Sequence, residues 1–165
     1  DRNFMKDIRD MIHDGKIKSA LALCQKYDSP VARLVEKGIE RIGRPLQDIQ
    51  TAVENMGNVE VARLEKGLPM LATIAGGAPM IGFLGTVTGM IRAFFEMANA
   101  GNNIDITLLS GGIYEAMVTT VGGLFVGIIA YFGYNFLTSQ ISNLVFKMER
   151  TTIEFIDMLH EPAEN

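Results

Sequence analysis

Two stretches of this chain carry no charged side chain, residues 67–91 and residues 116–146, and nothing else in the sequence limits its fold so strongly. They run for 25 and 31 residues. A helix rises about 1.5 Å per residue, so roughly 20 apolar residues cross a hydrocarbon core of about 30 Å, and each stretch is long enough to span a bilayer. The other reading is a pair of buried helices in a soluble protein. Such helices need apolar partners on every side, and a chain of 165 residues has too little remaining material to surround two of them. The expected fold is an all-α membrane protein built on a long transmembrane helical hairpin.

Average composition hides this division, because the charge sits elsewhere. Residues 1–66 hold 12 of the 15 Lys and Arg and 11 of the 19 Asp and Glu. Two crossings return the chain to the side it left, so residues 1–66 and the tail 147–165 share a compartment with 14 of the 15 basic residues; only Arg92 lies in the connection. The positive-inside tendency makes that compartment the cytoplasm. The resulting division is a cytoplasmic helical domain 1–66, a first span 67–91, a connection 92–112 turning at Asn99-Ala100-Gly101-Asn102-Asn103, a second span with a cytoplasmic extension 113–146, and a cytoplasmic tail 147–165, helical until Pro162. A net charge of −4 and the absence of basic runs exclude nucleic acid as a partner. Cys24, the one cysteine, can form no internal disulfide. Neither apolar run lies at the N-terminus, so neither reads as a signal peptide. The first residue is Asp1, and a preceding segment is expected.

The polar third divides into short amphipathic helices. Phe4, Ile8, Met11 and Ile12 share one helical face, and Asp14-Gly15 supplies a turn. Ile17, Leu21 and Cys24 continue as a second helix. Ser29-Pro30 has the form of an N-cap followed by proline at the first helical position, opening a third helix with Val31, Leu34, Val35, Gly38, Ile39 and Ile42 on its inner side. Gly43 and Pro45 end it. A fourth, from about Leu46, carries Ile49, Val53 and Met56, and residues 46–91 read as one long rod.

No enzymatic constellation is present: no Walker A sequence, no GxGxxG after a strand, no GxSxG and no HExxH. His13 and His160 lie far apart in polar segments, which argues against a metal site. The polar residues of the spans stand out instead. Thr86 and Thr88 lie in the first, Glu115 at the start of the second, and Thr119 and Thr120 just after it. An ionisable group at membrane depth costs several kcal/mol unless it meets water, a partner charge or a bundle interior, which makes Glu115 a functional candidate. The alternative is a place at the headgroup level capping the helix N-terminus, helped by Ser110, Gly111 and Gly112. Membrane threonines can satisfy themselves on the carbonyl one turn back. Glu115 and Thr119 share a stripe, whereas Thr120 lies about 140° from Glu115 on an ideal helix, so one narrow stripe cannot hold all three. Arg92 and Glu96 stand i, i+4 and can pair at the outer surface. Gly85 with Gly89, and Gly123 with Gly127, are small-xxx-small pairs where a second backbone can approach.

The stretch Leu71 to Ile91, with Ala75-Gly76-Gly77-Ala78-Pro79-Met80-Ile81-Gly82-Phe83-Leu84-Gly85-Thr86-Val87 at its centre, resembles the second-span signature of the MotA/TolQ/ExbB proton-channel family, and its ExbB branch in particular. Gly112-Ile113-Tyr114-Glu115-Ala116-Met117, with Thr119-Thr120-Val121-Gly122-Gly123-Leu124, resembles the opening of that family's third span. The resemblance covers nearly the whole chain and implies a missing first span. It implies a pentameric ring in the inner membrane of a Gram-negative bacterium, with 92–112 periplasmic, enclosing the single helices of ExbD-like subunits that bring a titrating aspartate. A TonB-like transducer would carry the resulting motion to outer-membrane transporters. Thr86, Glu115 and Thr120 take the family's ion-pathway positions. Tyr114 stands where small residues are common, and Thr119 where alanine is common; the added hydroxyl leaves Na⁺ open beside H⁺ as the transported ion, with no other cofactor expected. TolQ-like and MotA-like roles, and a passive oligomeric scaffold held by the small-residue strips, are the alternatives.

Overall fold

A computed structural model describes residues 2–101 and 105–160. Six helices follow in order: α1 Arg2–His13, α2 Ile17–Tyr27, α3 Pro30–Glu40, α4 Leu46–Leu64, α5 Leu68–Asn99 and α6 Ile106–His160. They fall into two packing units. One comprises residues 1–66 with 140–165, the other residues 67–139, and α6 contributes to both.

In the first unit the predicted breaks have identifiable causes. Gly15 adopts φ 75° after α1, a left-handed conformation open to glycine. Ser29 Oγ accepts a hydrogen bond from Ala32 N at 3.1 Å, and Pro30 occupies the first turn of α3, where its missing N–H costs nothing. The core is made by Phe4, Ile8, Cys24, Leu34, Val35, Ile39, Ile49 and Val53, joined from α6 by Met148, Phe155 and Met158. Phe155 lies directly over Gly38, whose missing side chain leaves the space for the ring. Glu60, only 1% exposed, is held by Arg33 through Nε–Oε1 at 2.6 Å and Nη2–Oε2 at 2.9 Å, with Arg63 at 3.6 Å. The same pairing raises the Arg33 pKa above its ordinary value. Burial, reinforced by nearby Glu36, pushes the Cys24 thiol up to about 12.

Two expectations change here. The third helix stops at Glu40 and Ile42 is 36% exposed, because the Arg41 N–H bonds Gly38 O at 3.1 Å and this tighter turn swings the chain out before Gly43. Residues 46–91 are not one rod. Helix α4 ends at Leu64, Gly67 takes φ 91°, and α5 begins at Leu68. Gly67 supplies the left-handed turn, and Pro69 falls in the first turn of the new helix, where its missing N–H costs nothing, whereas Pro79 is accommodated inside α5.

In the second unit α5 continues past Arg92 to Asn99, and α6 already begins at Ile106, so helix takes in most of the segment expected to be a connection. Ala100 follows α5, and Gly101 turns with φ 65°; Asn102 and Asn103 of the expected turn, like Pro162 of the tail, lie outside the described residues. At about 1.5 Å per residue the 32 residues of α5 extend about 48 Å, which exceeds a hydrocarbon core of about 30 Å. Large apolar side chains on both helices are open, among them Phe83 at 65%, Phe132 at 68% and Ile81 at 73% exposed. A buried pair of soluble-core helices would show the reverse. These are surfaces for lipid or for neighbouring chains.

Candidate functional site

The two apolar helices meet along a seam of small residues. They run antiparallel, so as the residue number rises along α5 the facing number on α6 falls: Pro79 meets Gly127, Gly82 meets Gly123, Gly85 meets Thr119, Gly89 meets Ala116 and Ala93 meets Gly112. A Cβ added to Gly123 would stand 2.5 Å from Ala78 O and 2.8 Å from Gly82 Cα, distances at which main chain lies against main chain. One added to Gly127 would meet the Pro79 ring at 2.5 Å. Gly85, Gly89, Gly123 and Gly127 therefore all face the other helix of the same chain. Gly76, Gly77, Gly111 and Gly122 face nothing within 4 Å.

Gly82, Ala93, Gly112 and Ala116 belong to this seam and were not singled out by the small-xxx-small pattern. Spacing by seven would have revealed part of the set. Ala75, Gly82 and Gly89 repeat at that interval on α5, as do Ala116, Gly123 and Ala130 on α6. A seven-residue repeat of one residue type keeps a stripe facing a left-handed partner over several turns. Ala93, Ala116 and Ala130 are buried, at 6%, 2% and 5% exposure.

Where the backbones are closest, hydroxyls gather. Thr86 Oγ1 lies 2.9 Å from Ala116 O and 3.2 Å from Gly82 O, and it is hydrogen-bonded to the Thr120 hydroxyl. Thr119 Oγ1 donates to Ala116 O at 2.6 Å and lies 3.3 Å from Gly82 O; Thr120 Oγ1 is 3.5 Å from the same carbonyl. Three hydroxyls and two carbonyls thus share one small volume. Each hydroxyl has one proton to donate and two lone pairs to accept with, so the five oxygens offer more acceptor positions than protons. Thr86 cannot donate to all its neighbours at once. The donor pattern can therefore be rearranged by hydroxyl rotation alone, and the vacant lone pairs can accept a hydrogen bond from a water or a hydronium ion, or coordinate a small cation.

Thr88 is not part of this cluster. Its hydroxyl, exposed, bonds Leu84 O at 2.9 Å and Gly85 O at 3.1 Å on its own turn, the self-satisfied arrangement open to any membrane threonine. Glu115 is exposed, with no hydrogen bond or ion pair among the described residues. It does not cap a helix. The N-terminal residue of that role is Asp105, whose carboxylate accepts from Thr107 N at 2.9 Å and whose carbonyl accepts from Leu109 N at 3.1 Å. Ser110, Gly111 and Gly112 lie within α6, so Glu115 sits more than two turns inside it. Arg92 and Glu96 make no ion pair among the described residues. The stripe argument is modified too: Thr119 and Thr120, on adjacent positions, both reach Gly82 O because that carbonyl sits between them at the point of closest approach.

Comparison with known proteins agrees with this architecture. The model of the MotA/TolQ/ExbB proton channel family matches residues 26–150. A biopolymer transport protein ExbB homolog of Methanothermobacter thermautotrophicus is 31% identical over 142 residues, covering 86% of this chain and 50% of that protein. The biopolymer transport protein ExbB of Neisseria gonorrhoeae is 43% identical over 135 residues, covering 73% of this chain and 61% of its own length. The Tol-Pal system protein TolQ of Haemophilus influenzae is 35% identical over 106 residues, 64% of this chain and 46% of that protein. The chain spans about half the length of the curated relatives it matches.

Proposed function

The chain belongs to the MotA/TolQ/ExbB proton channel family, and on that premise we propose that it is a pore-forming subunit of an ion-driven motor that energises TonB-dependent transport across an outer membrane. The observation that carries this reading is the cluster of Thr86, Thr119 and Thr120 hydroxyls on the Gly82 and Ala116 carbonyls, set within two charge-free helices. Interhelical hydrogen bonding alone would use threonines at a seam, but here three hydroxyls converge on two carbonyls and retain spare lone pairs. Hydroxyls with spare lone pairs give a proton, or a partly dehydrated Na⁺, a polar stopping place at membrane depth. Glu115 supplies a carboxylate one to two turns from the cluster on the same helix, where it raises local cation concentration or pairs with a partner group.

In this reading the chain works as one stave of a pentamer around the single membrane helices of ExbD-like subunits, with residues 1–66 and 147–165 cytoplasmic and a TonB-like protein receiving the motion. The membrane is the inner membrane of a Gram-negative cell. The open faces of α5 and α6 suit this arrangement, since they offer large apolar surface to lipid and sister copies. A passive scaffold held by Gly85, Gly89, Gly123 and Gly127 is disfavoured, because the hairpin itself takes up all four. TolQ-like and MotA-like roles use the same membrane chemistry with a different load.

The test is complementation in cells lacking the endogenous subunit. Thr86→Ala, Glu115→Ala and Thr120→Ala in the full-length protein should each abolish partner-driven uptake while the purified complex keeps its wild-type mass. Unimpaired uptake in all three variants would refute the reading.

A further inference from the structure

Six threonines lie in the two charge-free runs: Thr73, Thr86, Thr88, Thr119, Thr120 and Thr138. Five of them have a carbonyl oxygen within 3.5 Å of the hydroxyl. Thr138 does not. Its Oγ1 is closed off from solvent and has no hydrogen-bond partner among the described residues, although a membrane threonine can ordinarily satisfy itself on the carbonyl one turn back. Native proteins leave few buried hydroxyls in that state, and a water or an ion is the usual partner of those that remain.

The place of Thr138 on the hairpin is as specific as its lack of a partner. Beyond the pair Pro79 and Gly127, a Cβ on Gly133 would stand 3.9 Å from Leu71 Cδ2, so the seam continues in the same register. Eleven residues on from Pro79 and Gly127, that register sets Thr138 opposite Leu68, the first residue of α5. Along α6, Thr138 follows Thr120 by 18 residues, which is five whole turns. The two threonines therefore share one face, about 27 Å apart along the axis, close to the thickness of a hydrocarbon core of about 30 Å. Tyr131 and Asn135 fall within about 60° of that face, with Leu124 and Gly127 filling the interval before them. Phe125, Phe132 and Phe136, all exposed, lie about 120–160° away, on a side suited to lipid. Helix α6 thus carries a polar edge, distinct from its lipid face, that starts in the threonine cluster and ends at Thr138.

We infer that Thr138 is a second stop on the ion path, where its hydroxyl oxygen accepts a hydrogen bond from the water that carries the transported cation. The cluster of Thr86, Thr119 and Thr120 holds the cation at one level, Thr138 holds it where α5 begins, and Tyr131 and Asn135 are the polar groups between. A hydroxyl that served only the hairpin would be bonded within it; one left unbonded is available to a passing guest. The inference rests on the motor reading and deepens it, by assigning the residue at which the ion enters or leaves the span on the side of Leu68.

The experiment measures ion flux and stability on the same variants of the full-length protein, reconstituted with an ExbD-like subunit into vesicles under an applied potential. A pH-sensitive dye in Na⁺-free buffer and a Na⁺-sensitive dye in parallel identify the ion that the wild type carries. Thr138→Val keeps the side-chain shape and removes the hydroxyl, and should lower the flux of that ion about tenfold, the loss of one hydrogen bond at the barrier. Because the hydroxyl has no partner inside the protein, the same change should leave the SDS unfolding midpoint equal to or above that of the wild type. Thr138→Ser, which keeps the hydroxyl, should retain most of the flux. Thr73→Val, whose hydroxyl bonds Pro69 O at 2.9 Å on its own turn, should leave the flux unchanged. Wild-type flux in Thr138→Val beside a reduced flux in Thr120→Val would overturn this inference and leave the motor reading standing; wild-type flux in both would overturn the two together. A lowered midpoint or failed folding in Thr138→Val, equal losses in Thr138→Val and Thr73→Val, or a loss in Thr138→Ser as large as in Thr138→Val would each assign the hydroxyl or its site a structural role and overturn the inference.

Discussion

Adding one methyl group to the seam should separate the two membrane helices. In Gly123→Ala the new Cβ would stand 2.5 Å from Ala78 O and 2.8 Å from Gly82 Cα, whereas ordinary contact begins near 3.4 Å. Both obstacles are main-chain atoms, which no side-chain rotation can move. The helices must part by about 0.9 Å at this level, and overpacking of this kind costs about 1–3 kcal/mol. Against this, alanine is a better helix former than glycine by up to about 1 kcal/mol in water, so the net destabilisation expected is about 1–2 kcal/mol. Gly122→Ala is the matched control, since its Cβ meets nothing within 4 Å and it takes the same propensity gain. Unfolding would be followed by SDS titration of the purified protein in mixed micelles, reading helix content. The midpoint of Gly123→Ala should fall and that of Gly122→Ala should hold or rise. Gly123→Ala should also weaken the Thr86–Thr120 hydrogen bond, which lies one turn away, and so reduce uptake in cells even where the protein assembles. Equal midpoints for the two variants would show that the close approach of α5 and α6 is not what holds the hairpin.

Three further outcomes follow from the polar unit. Arg33→Ala leaves Glu60 buried with only Arg63 at 3.6 Å and should cost about 3–5 kcal/mol in denaturant, while Arg33→Met/Glu60→Met should recover most of that loss. Gly38→Ala forces a Cβ to 2.9 Å from Phe155 Cζ and 3.0 Å from Val53 Cγ2, and should lower the melting temperature through about 1–3 kcal/mol of overpacking. The Cys24 thiol, pushed up from 9.0 to about 12, is buried and neutral at pH 8 and should react with a maleimide only as fast as the unit opens. Because its folded pKa is the higher one, its contribution to stability is complete below pH 9 and is lost as the pH rises toward 12, a dependence that Cys24→Ala should remove.

Features set by local chemistry were legible in the chain before its structure. The two spans, the Ser29-Pro30 helix start and the glycine turn at Gly15 follow from charge, capping and φ alone. What escaped depends on contacts between distant segments or on the geometry of a turn. The carbonyl of Gly82 is invisible as a sequence letter, yet it is where three threonine hydroxyls converge, because only the antiparallel approach of α6 brings Thr119 and Thr120 to it. Arg33 and Glu60 stand 27 residues apart, and no periodic pattern links them. Glu115 had two readings as long as the start of α6 was unknown; the Asp105 cap removed one. Pro69 alone could not have given the break at Gly67, since Pro79 is accommodated inside α5; the left-handed φ of Gly67 together with the first-turn place of Pro69 marks it.

The central claim is that the threonine cluster lies on an ion path, and proton flux measures this most directly. The full-length protein, with an ExbD-like subunit as the partner proposed above, would be reconstituted into vesicles holding a pH-sensitive dye, and a potassium–valinomycin potential applied. Thr86→Val and Thr120→Val, which keep the side-chain shape and remove the hydroxyl, should each lower the flux at least about tenfold, the equivalent of one lost hydrogen bond of about 1.4 kcal/mol in the barrier. Thr88→Val, whose hydroxyl serves only its own turn, should leave it unchanged. Wild-type flux in both cluster variants would contradict the account.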